Sequence, residues 1–110
     1  MAKRKMSAAI KRKWVKALRS GKFEQGALAL RTSKQEMQEM GIDTPLFCCL
    51  GVLCEVTGTP YRPGSVCSAM PSRAARQRLG LDDELADNLA ALNDQGTSFK
   101  QLANIIEQEA

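Results

Sequence analysis

The chain contains no histidine. That removes Cys–His and Ser–His nucleophilic pairs, every histidine-containing metal site, and the commonest general base near neutral pH. Aromatic residues are few: Trp14, Phe23, Phe47, Tyr61 and Phe99. The core must therefore be built mostly from Leu, Ile, Val, Ala, Met and Cys. No stretch approaches the ~18 consecutive apolar residues of a membrane span. The basic start Lys3-Arg4-Lys5 is not followed by the uninterrupted apolar segment of a secretory signal. Gly51 and Gly58 follow no strand and precede no Lys-Ser or Lys-Thr pair, so there is no phosphate-binding glycine loop. The expectation is a cytoplasmic protein with reduced cysteines.

What is present fits one domain. The 110 residues, 44% of them hydrophobic, suffice for a single modest core. One domain is expected over residues 1–110, with residues 1–6 a disordered basic tail. The net charge of +4 conceals a gradient. Residues 1–22 hold nine Lys or Arg and no acid, whereas residues 80–110 hold Lys100 against seven acids. A basic head suggests an anionic partner. Equally, head and tail can attract one another within the fold.

The longest apolar run is Leu46-Phe47-Cys48-Cys49-Leu50-Gly51-Val52-Leu53-Cys54, nine residues without a polar side chain. Thr44-Pro45 reads as its N-cap and N1 proline, and Gly58 as its stop. Apolar residues on every face predict a buried central helix. Gly51, costly by roughly 1 kcal/mol against Ala, suggests that a neighbouring helix approaches closely.

Before it, Ser7 caps a helix to Ser20, stopped by Gly21. Ile10, Trp14, Ala17 and Leu18 share one face; Arg12, Lys16 and Arg19 lie opposite, and Lys11 and Lys13 flank the apolar stripe. Residues 23–32 read as an extended connector whose leucines reach the core. Ser33 to Glu36 has capping-box spacing and opens a short helix ended by Gly41.

Residues 58–70 form the longest loop. Ser72 opens a short basic helix with Arg73, Arg76 and Arg78, and Asp82 caps the next, with Leu85, Leu89 and Leu92 on one side. Thr97 or Ser98 caps the last, whose stripe is Phe99, Leu102, Ala103 and Ile106. The fold class is all-α, with about five helices and a C-terminal helical hairpin.

Cys48, Cys49, Cys54 and Cys67 pose the one sharp chemical question. Zinc ligands usually come in pairs two to four residues apart on turns. On a helix, Cys48 and Cys49 point about 100° apart and Cys54 about 140° beyond Cys49. These directions diverge, so a zinc-stabilised module is the least favoured reading. Unpaired cysteine packs as a small hydrophobe, while Cys67 in the loop is expected to be exposed. Asp82-Asp83-Glu84 reads as dipole-complementing charge at a helix start rather than a carboxylate site. The hairpin resembles the first half of a helix-turn-helix, but it is acidic and no recognition helix follows. No catalytic residue, metal or cofactor is expected.

Three pieces carry a likeness: Lys13-Trp14-Val15-Lys16-Ala17-Leu18-Arg19-Ser20-Gly21, Phe47 to Cys54, and Leu89-Ala90-Ala91-Leu92-Asn93-Asp94-Gln95-Gly96 with Ser98-Phe99. Together they resemble a family of small, largely uncharacterised proteins of tailed bacteriophages and prophages. Residues 32–44 look longer than that family suggests. The resemblance implies a phage origin and the host bacterial cytoplasm, and it carries no catalytic residues.

The function expected is that of a non-enzymatic accessory protein. Lys11, Arg12, Lys13, Lys16 and Arg19 are the candidate contacts for nucleic acid, bound without sequence preference. The alternative is a host protein, met through the charge asymmetry.

Overall fold

The computed structural model describes residues 6–27, 29–61 and 70–110. The fold is all-α, with six helices among those residues: α1 (Ala8–Ser20), α2 (Lys34–Met40), α3 (Cys49–Thr57), α4 (Arg73–Leu79), α5 (Asp83–Asp94) and α6 (Phe99–Glu109). Residues 1–5 of the expected tail and residues 62–69 of the loop, Cys67 among them, lie outside the described residues. Met6, expected in the disordered tail, is instead buried in the core.

Local chemistry sets most of the helix ends. The side chains of Ser7, Ser33, Ser72, Asp82 and Ser98 each accept a backbone N–H from the first turn of the helix they precede. Each therefore satisfies a donor the helix itself leaves unpaired. Ser33–Glu36 and Ser98–Gln101 close full capping boxes. The six helices fit the expectation of about five. The apolar stripes behave as expected: Trp14, Leu18, Leu89, Leu102 and Ile106 are buried. α1 packs chiefly on α6 and α3, and α5 packs on both α3 and α6.

The start of the cysteine helix is a correction. Thr44-Pro45 does not open it. Leu46–Phe47 is extended (β2) and pairs in parallel with Glu24–Gln25 (β1), Glu24 opposite Leu46 and Gln25 opposite Phe47. The connector then turns back. Thr32 N–H donates to the Leu46 carbonyl at 3.0 Å, and Cys48 N–H to the Leu30 carbonyl at 3.2 Å. Cys48 is the true N-cap, its Sγ accepting from Gly51 N–H at 3.4 Å. A local cap signal lost to long-range pairing that satisfies more of the backbone.

Gly51 does allow a close approach, but by the connector and not by a helix. A Cβ there would overlap the Leu30 carbonyl that receives Cys48 N–H. Alanine is excluded for that reason, despite its higher helix propensity. Leu30 enters the core as expected of the connector, while Leu28 lies outside the described residues.

Candidate nucleic-acid interface on α1

Helix α1 is seated by its inner face. Trp14 is fully buried and its Nε1–H donates to the Cys49 carbonyl at 2.8 Å. Val15 and Leu18 join the same core. Below this seat lies a polar hub centred on Asn93, only 2% exposed. Its Oδ1 accepts from Cys49 N–H at 3.1 Å and from Gln25 Nε2 at 3.2 Å. Its Nδ2 donates to the Gly26 carbonyl at 2.7 Å. Gln25 in turn donates to the Thr97 carbonyl and accepts from Phe99 N–H. One amide pair thus joins connector, α3, α5 and the start of α6. The motif Leu92-Asn93-Asp94 gave Asn93 no special role, because its partners lie more than forty residues away.

The cysteines of α3 face inward. Cys48, Cys49 and Cys54 are free thiols, all buried. Burial raises the Cys54 pKa to about 12 and pushes Cys48 and Cys49 upward as well. A thiol held protonated is a poor nucleophile and a poor metal ligand. Among the described residues no three potential ligands cluster.

The five candidate contacts divide by flank. On the α6 side, Arg19 Nη1 pairs with Glu107 Oε2 and its Nη2 with Asn104 Oδ1, both at 2.7 Å. Lys11 Nζ donates to the Glu107 and Ala110 carbonyls at 3.1 and 3.0 Å. A cation at the C-terminal end of α6 is also favoured by that helix's dipole. Head and tail therefore do meet, through these two residues. Arg12, Lys13 and Lys16 remain exposed. The groove on this flank, about 640 Å³, carries Glu107 beside Lys11, Arg12, Lys16 and Arg19.

The other flank faces α3 and α4. Lys13 lines a groove of about 320 Å³ with Ile10, Leu79 and Arg78. It also lines a second, of about 280 Å³, with Lys16, Lys22, Phe23 and Val56. Arg76, the other cation in the second half of α4, is engaged by Asp83 at 3.1 Å and by the Pro71 carbonyl at 2.7 Å. Lys22 and Arg78 were not among the expected contacts. Arg78 belongs to a helix the sequence marks as basic, but no local signal puts it beside Lys13.

No helix among the described residues is long and apolar enough to cross a membrane. Residues 6–59, just under half of the chain, match a domain of unknown function (DUF8296). That span runs from the end of the basic head through α3, so it holds the seat of α1 and all five expected contacts. No curated protein and no solved structure matches the chain.

Proposed function

We propose that this is a non-enzymatic accessory protein that binds nucleic acid without sequence preference through the basic face of α1. Its setting would be the bacterial cytoplasm during phage growth, as the family resemblance implies. The observation that carries the reading is the exposure of Arg12, Lys13 and Lys16 on a helix whose inner face is locked by Trp14. Cations on a rigid scaffold can neutralise successive phosphates and release their counterions. An enzymatic role finds little chemistry to use: the three described thiols are buried and protonated, and the chain has no histidine.

The test is a titration of labelled random-sequence DNA and RNA at several salt concentrations. Binding is expected at ~50 mM salt, with log affinity falling linearly against log salt. Protein that binds neither at ~50 mM would leave the alternative, a host protein steered by the charge asymmetry, for which capture from host lysate is the direct assay.

A further inference from the structure

The grooves on the α3/α4 flank of α1 share Lys13 and so adjoin one another. Arg78 stands in one, and Lys16 and Lys22 in the other. Among the described residues neither groove is lined by an acidic one, unlike the α6 flank with Glu107. Their remaining walls mix apolar side chains with hydroxyls: Ile10 and Leu79 beside Thr57 and Thr59 in one, Val56 and Phe23 beside Ser20 in the other. Phe23 is set edge-on against Phe47, ring centroids 5.1 Å apart at 89°. We propose that these two grooves form one track for a single strand of nucleic acid, with Arg78 and Lys22 near its two ends and Lys13 at the junction.

This rests on the nucleic-acid reading above and adds to it a path, two residues from outside the expected set, and a preference for strand state. Basic walls take the phosphates of one strand. The apolar and aromatic positions between them take unpaired bases, which every sequence offers and which a duplex keeps stacked inside. Docking on the α6 flank would bring the strand against the Glu107 carboxylate, which repels phosphate.

The experiment uses the full chain and a labelled oligothymidylate of about 12 nucleotides, within the range of single-strand site sizes. A duplex of the same length serves as competitor. The wild-type protein is expected to bind the single strand more tightly than the duplex. The double variant Lys22→Ala, Arg78→Ala removes two exposed cations and leaves the core intact. It is expected to flatten the plot of log affinity against log salt by about 1.4, at ~0.7 per phosphate contact on a single strand. A matched control, Lys34→Ala with Lys100→Ala, removes the same charge elsewhere on the surface and is expected to keep the wild-type slope. A Lys22/Arg78 variant that keeps the wild-type slope overturns the track while the function proposed above stands. Equal or tighter binding of the duplex overturns the single-strand assignment. Wild-type protein that binds no nucleic acid overturns both proposals.

Discussion

The two flanks of α1 carry cations of the same kind in nearly equal supply, yet they differ in what those cations face. Toward α6, Arg19 and Lys11 are engaged by Glu107, Asn104 and the last carbonyls of the chain. Toward α3 and α4, Lys13, Lys22 and Arg78 line grooves without a carboxylate among the described residues, and Lys16 borders both flanks. The difference shows that the nine cations of the first 22 residues overstate what a partner meets. A charge becomes a contact only where the fold leaves it unneutralised.

Both flanks depend on the seat beneath α1, so the largest effect comes from removing it. Leu53 is fully buried in α3. Leu53→Ala should cost on the order of 2–5 kcal/mol, as core truncations that leave a cavity do. Chemical denaturation measures it, and a midpoint equal to wild type would mean that α3 is not the centre of the fold. Asn93→Ala should come next. It leaves Cys49 N–H and the Gly26 carbonyl without a partner, each unsatisfied buried group costing about 1–3 kcal/mol. Near-wild-type stability would show that water replaces the amide.

A smaller and pH-dependent effect belongs to the thiols. The Cys54 pKa is raised to about 12 in the fold, against about 8.5 for a free thiol. The unfolded chain therefore loses its proton first. The stability contributed by the neutral thiol is full below about pH 8.5 and is lost as the pH rises toward about 12, by at most ~1.4 kcal/mol per pH unit for one group. Comparing Cys54→Ala with wild type between about pH 8 and 10 should show a shallower decline in the variant. Identical pH slopes would contradict the burial of that thiol.

The smallest effect lies at the neutralised flank itself. Arg19 and Glu107 are both substantially exposed, at 41% and 56%, and such pairs contribute about 0–1 kcal/mol. Arg19→Ala should barely move the thermal midpoint. A large drop would mean that the ion pair, and not the buried apolar face of α1, holds α1 on α6.

Much of this architecture is legible from short-range chemistry. Ser7, Ser33, Ser72, Asp82 and Ser98 act within three residues of themselves, and the apolar stripes of α1, α5 and α6 repeat at helical spacing. What was not legible acts across distance. Thr44-Pro45 carries a good cap signal, but Leu46 and Phe47 find backbone partners about twenty residues away. Gly51 signals a close approach without naming the Leu30 carbonyl that makes it. The interface was half legible for the same reason: helical periodicity puts Arg12, Lys16 and Arg19 on one outer face, but only the packing of α6 reveals that Arg19 meets Glu107. Lys13 and Arg78 come together through tertiary packing alone.

The measurement that bears most directly on the contrast between flanks is the salt dependence of binding for two variants made side by side. One is Lys13→Ala with Lys22→Ala, from the open flank; the other is Lys11→Ala with Arg19→Ala, from the flank that α6 neutralises. Each loses the same formal charge. The first should flatten the slope of log affinity against log salt by about 1.4 on a single strand, at ~0.7 per phosphate contact, and the second should leave it at the wild-type value. Equal flattening in both would contradict the account, because net charge alone, and not the unneutralised side of α1, would then govern binding.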